Sequence, residues 1–187
     1  VIDMDDVGQL VAKSPQQISS FIGRYLNAVR IGKKQLTKFY QSIDDIVPNF
    51  CDSCENQKIC HQSFGITKDN FGLYPLTQSA VEIICQRLGD TTKSEEENFF
   101  NPRSIQKNLL TPILNNAATT LPVGEFPNKT IHDVLGGIKT IPPMIRNQLD
   151  EKYGLSAERY VAFLDLWKGS PNPSGVAPEI FEAFNLR

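Results

Sequence analysis

The stretch Ser14–Gly32, SPQQISSFIGRYLNAVRIG, sets the fold class. Ser14 stands where a helix cap belongs and Pro15 suits the first helical position. Gln17 completes a capping box by reaching back to the cap amide. Behind this start Ile18, Phe21, Ile22, Tyr25, Leu26 and Val29 recur at helical spacing. The pattern predicts an amphipathic helix that Gly32 stops.

The same logic extends along the chain. A second helix is predicted from about Lys34 to Val47, with Leu36, Phe39, Tyr40, Ile43 and Val47 on one face and Pro48 at its end. Thr77 caps a third, whose apolar face is Val81, Ile84, Cys85 and Leu88 and whose stop is Gly89. Asn101-Pro102 opens a fourth, with Ile105, Leu109, Ile113 and Leu114 on one face and Leu110 flanking it. Pro112 is expected to kink or shorten that helix, since its ring removes an amide donor. Three short helices follow. One is capped by Thr130 and carries Ile131, Val134, Leu135 and Ile138; one runs from Pro142-Pro143 through Leu149; one starts at Ser156 and carries Tyr160, Phe163, Leu164 and Trp167. A last short helix covers Glu179 to Phe184. No segment shows strand alternation or a hairpin turn. The expected fold is all-α and bundle-like, about seven helices with a Cys-rich metal-binding loop. The loops near 66–72 and 119–129 divide it into an N-terminal segment with the cysteines (1–71), a middle segment (72–118) and a C-terminal extension (119–187).

Composition excludes several classes. The 187 residues are 40% hydrophobic and 21% charged, with net charge −2. That is a globular balance, and no global charge points to nucleic acid or membrane. No apolar run approaches the roughly 20 residues of a membrane helix. The start, VIDMDDVG, is acidic and lacks the plan of a secretory leader. Without an initiator Met, it reads as a fragment of a longer protein. No phosphate loop, dinucleotide fingerprint or nucleophile elbow occurs, and neither His61 nor His132 has triad partners in the sequence. Alone, the chain is not expected to be an enzyme.

Cys51, Cys54 and Cys60 fall within ten positions, and His61 follows directly. Two thiolates two residues apart are a metal-clasp spacing. The fourth ligand is either His61, adjacent to Cys60, or Cys85, on the inner face of the next helix. Zinc is the expected metal. The alternative is a [4Fe–4S] cluster, because Cys-x2-Cys-x5-Cys also suits one. Iron-staple nucleases of the RecB-like class carry that triplet, but their fourth cysteine precedes it and their catalytic motif has no counterpart here. Disulfides are a third reading, and a secreted disulfide-bonded protein-binding domain goes with it. Disulfides among these cysteines would close only tiny loops, so a reducing, cytoplasmic setting is expected.

Phe99-Phe100-Asn101-Pro102-Arg103-Ser104 places an arginine in the first turn of a helix, where it opposes the helix dipole and suits an anion. Leu73-Tyr74-Pro75-Leu76, a helix, a loop, then Asn101-Pro102-Arg103 and another amphipathic helix resemble the helical lid of AAA+ ATPases over residues 72–118. The order of features through Trp167-Lys168-Gly169 and Ala183-Phe184-Asn185-Leu186 resembles the C-terminal parts of bacterial AAA+/STAND-like ATPases of phage-defence and DNA-restriction systems. The resemblance implies that Arg103 is a nucleotide-sensing residue that reaches the γ-phosphate of ATP bound to a preceding core domain. That core domain, of the same parent protein or complex, would be the partner. Its phosphate loop is absent here.

Between Val7 and Ile43 there is no Asp or Glu, while Arg24, Arg30, Lys33, Lys34 and Lys38 all occur. These five are the candidate contacts to nucleic-acid phosphates. The rival to an ATPase region is therefore a free-standing zinc- or iron–sulfur-containing nucleic-acid-binding module.

Overall fold

The structure, a computed structural model, describes residues 15–41, 47–88, 102–137, 142–170, 172 and 174–186. Among these residues the chain is helical and no strand forms; the one extended pairing is an isolated antiparallel bridge between Ile66 and Gly72. The expected positions Ser14, Ile43, Gly89, Asn101 and Ile138 lie outside the described residues. No helix among the described residues is long and apolar enough to cross a membrane.

Helices α1 (Pro15–Ile31) and α2 (Lys33–Gln41) meet at Gly32. Its φ is +81°, a left-handed conformation that costs glycine little, and its amide still bonds the Ala28 carbonyl at 3.0 Å. The apolar stripe of α1 holds as far as Leu26 and fails at Val29, which is 49% exposed. The second helix is described as far as Gln41. Val47 lies in irregular backbone beyond it, exposed, and does not extend its face.

The cysteine stretch is not a plain loop. It forms a 3-10 turn (Phe50–Ser53) and then α3 (Gln57–Phe64). Helix α4 (Gln78–Leu88) follows with the expected cap, since the Thr77 hydroxyl accepts the Ala80 amide at 3.0 Å. Val81, Ile84 and Cys85 are buried, and Leu88 packs against them.

Helix α5 (Pro102–Ile105) continues through a π turn (Gln106–Leu110) into α6 (Thr111–Thr120). Pro112 does not break this helix. A proline ring collides with the carbonyl four residues earlier, here that of Asn108. The π turn widens the backbone at that place, and the Thr111 amide reaches back to the Gln106 carbonyl. The extra residue also rotates Leu110 inward, so Ile105, Leu109, Leu110 and Ile113 are all fully buried.

Helix α7 (Lys129–Val134) is capped by Asn128, not Thr130. The Asn128 side-chain oxygen accepts the Ile131 amide at 3.0 Å, a stronger cap than a residue already inside the first turn can supply. Ile131 and Leu135 enter the core, whereas Val134 faces solvent. Helix α8 (Pro143–Tyr153) runs a turn beyond Leu149 and passes through a 3-10 turn (Gly154–Ser156) into α9 (Ala157–Phe163). A second π turn (Leu164–Lys168) and α10 (Pro178–Ala183) complete the chain.

The core is one continuous cluster from Ile22 to Leu186. Helix α4 packs on both π turns, and α10 packs on α3. Trp167 donates its indole N–H to the Pro75 carbonyl at 2.8 Å, while Thr77 donates to the Trp167 carbonyl at 3.3 Å. Phe184 is the hub of an aromatic cluster, with ring centroids 5.7 Å from Phe64, 5.2 Å from Phe126, 6.0 Å from Phe163 and 5.8 Å from Trp167. Described residues from each of the expected segments contribute to the core.

Candidate metal centre

The cysteines are positioned by a clamp that begins on α1. Asn27 is buried; its amide donates to the Pro48 carbonyl at 3.0 Å and its oxygen accepts the Phe50 amide at 2.8 Å. Asn49 then caps the 3-10 turn by accepting the Cys51 amide at 3.0 Å. Cys54 closes the turn with its amide on the Cys51 carbonyl at 3.1 Å. Cys60 and His61 follow on α3.

Cys51 is buried, and Cys60 is half-buried and packed against the core. Burial pushes the Cys60 thiol up; the nearby Arg30 guanidinium opposes this, and the neighbouring Cys51 and Cys54 thiols add to it. The three sulfurs thus share one neighbourhood. Burial and Arg30 push the His61 imidazole below its usual value, against a smaller opposing effect of Asp52. Its neutral form, the one that ligates metals, is favoured.

Two features mark the spot where these groups meet. His61 Nε2 is buried without a hydrogen-bond partner. Gly72 is the close approach: a Cβ there would lie 3.2 Å from Cys51 Sγ and 3.2 Å from His61 Nε2. As the side chains stand, no group of three or more His, Cys, Asp or Glu among the described residues forms a ready metal cage. All four cysteines are free thiols.

Cys85 stands elsewhere. It lies on the inner face of α4 in the core, and burial alone pushes its thiol up to about 12. Arg30, expected to face nucleic-acid phosphates, turns inward instead. It donates to the carbonyls of Gly72 at 3.0 Å and Tyr74 at 2.6 Å, and lies 3.9 Å from Cys51 Sγ. Three acceptors close to the α1 terminus hold it there more firmly than solvent would. Arg24 is exposed and paired with Asp69 at 2.8 Å. Lys33, Lys34, Lys38 and Arg103 are exposed.

No local signal marked Asn27 and Arg30 as parts of this site, because they lie 21 to 44 positions from the groups they touch. The sequence also hid a second polar cluster. Arg87 on α4 forks onto Asp165 with two bonds of 2.7 Å, and His132 Nε2 lies 2.8 Å from the same carboxylate. This cluster ties α4, α7 and the second π turn together.

Comparison with protein families, with curated proteins and with solved structures finds no match to this chain.

Proposed function

We propose that this chain is a non-catalytic regulatory and interaction region of a nucleotide-dependent, AAA+-like ATPase in nucleic-acid or phage-defence work, pinned at its cysteine-rich 3-10 turn and α3 by a structural metal ion. The observation that carries the metal is the meeting at Gly72. A buried, partnerless imidazole nitrogen and a thiol both border the space that a side chain would fill. Cys51, Cys54, Cys60 and His61 would hold it, a soft Cys3His set of the kind suited to zinc. Four protein ligands leave no open position, so the ion supplies cross-linking and no chemistry. Arg30 offsets the excess negative charge of three thiolates. The same triplet suits a [4Fe–4S] cluster as the alternative cofactor. The ATPase reading is supported by the lid-like order of residues 72–118 and by Arg103, whose exposed place at the start of α5 suits an anion brought from outside.

Metal analysis of chain purified without oxygen, with an absorption spectrum, tests the clasp. One zinc per chain is expected, lost in Cys54→Ser together with part of the thermal stability. Absorption near ~400 nm would instead identify the cluster. Absence of any metal would overturn the clasp. The ATPase reading is tested by the reading frame that encodes Val1. It is expected to encode a GxxxxGK[ST] phosphate loop upstream, or to lie beside a gene that does. A frame with neither would overturn it.

A further inference from the structure

We infer that the elbow between α1 and α2 is a docking groove for an acidic amphipathic peptide segment of another protein. A groove of about 430 Å³ lies there, within the usual range of ligand sites. Tyr25 and Val29 from α1, Gly32 at the junction, and Lys33, Leu36 and Thr37 from α2 line it. On each helix these positions follow helical spacing, so one stripe of each faces the groove. Val29, at 49% exposure, is the α1 apolar position that the core leaves uncovered. Val29 is exposed and the neighbouring Tyr25 and Leu36 are only partly buried, so the groove keeps apolar surface open to a partner.

Charge selects the occupant. Residues 15–41 contain no Asp or Glu, and neither do residues 102–120, in a chain whose net charge is −2. The second segment reaches the groove at Tyr25, whose hydroxyl accepts from Gln106 Nε2 at 3.3 Å. Arg24 is paired and Arg30 is turned inward, which leaves Lys33, Lys34, Lys38, Arg103 and Lys107 as the exposed cations of the two segments. An apolar floor beside two described segments that carry five exposed cations and no Asp or Glu fits a segment whose Leu- or Phe-like residues enter the groove and whose Asp and Glu meet those cations. A second copy of the same groove would bring like charges together. A nucleic acid would satisfy the cations but leave Val29 and Leu36 without apolar partners. The groove contains none of Cys51, Cys54, Cys60 or His61, so the inference does not depend on the metal.

The test is fluorescence anisotropy of the full chain with a labelled synthetic helix of about twelve residues, Leu on one face and Glu on the other. Its Lys-for-Glu counterpart and a single-stranded and a duplex DNA oligonucleotide serve as comparison probes. The Glu peptide is expected to bind, more weakly as salt rises, and at least about tenfold more weakly to Val29→Asp and to Lys33→Glu. Lys33→Glu changes an exposed residue and keeps the fold, which far-UV circular dichroism checks. Lys129→Glu, on α7, is expected to leave binding unchanged. Equal binding of the Glu and Lys peptides, binding of DNA but not peptide, or indifference to both groove variants would each overturn the proposal.

Discussion

Removal of the Asp165 carboxylate is expected to be among the most damaging single changes in this fold. Arg87 places two N–H groups on it at 2.7 Å each, and His132 sits 2.8 Å away. The three side chains are only 19%, 11% and 6% exposed. In Asp165→Ala the Arg87 guanidinium stays enclosed without its counter-charge. Stranding one partner of such a pair costs about 3–5 kcal/mol, out of a total that is about 5–15 kcal/mol for ordinary domains. At roughly 2–4 °C per kcal/mol for a chain of this size, the melting point should fall by roughly 6–20 °C. Urea unfolding followed by circular dichroism and by the fluorescence of Trp167, the sole tryptophan, reads the change. The companion double variant Arg87→Met/Asp165→Leu removes both charges and keeps apolar volume, so it should recover part of the loss. A cost for Asp165→Ala within about 1 kcal/mol, or a double variant as damaged as the sum of its singles, would refute the claim that the pair is desolvated.

Thr77→Ala should cost about 0.5–2 kcal/mol through loss of the α4 cap and Thr77→Ser much less, both read from urea midpoints; equal losses would place the effect in the methyl group instead. The Cys85 thiol ionises near pH 9.0 when unfolded and holds its proton to about 12 when folded. The unfolded chain therefore releases that proton first, and stability falls as pH rises above 9, by up to ~1.4 kcal/mol per pH unit. Tyr160 is likewise held up, from 10.0 to about 12, so the interval between pH 9 and 10 reports on thiols. In Cys85→Val the slope of stability against pH in that interval should become shallower, and an unchanged slope would refute the assignment.

Local chemistry made much of this fold legible. A cap followed by helical spacing located α4, a glycine located the α1–α2 elbow, and Asn-Pro located the start of α5. These signals are carried by residues within one turn of each other. What escaped depends on distant partners. Phe126 is fully buried although it sits between helices, because Phe184 and Trp167 close over it from the other end of the chain. Leu110 reads as a flanking residue under an ideal period and becomes core only because a π turn inserts one residue before Pro112. The cysteines announced their own cluster by spacing. Nothing in the spacing indicated that Arg30 would abandon the basic face of α1 for the carbonyls of Gly72 and Tyr74. The Gly72 and Tyr74 carbonyls, brought up by the fold, lie within its reach there.

The placement of Phe184 bears on the order in which the molecule can be made. Synthesis runs from the amino end, so Phe64, Tyr74, Phe126, Phe163 and Trp167 all emerge before the ring that joins them. Until it arrives, their faces are open to other apolar surface, a condition that favours aggregation or capture by chaperones. A premature stop even a few codons before Phe184 would leave that condition permanent, while every helix from α1 to α9 would already be encoded.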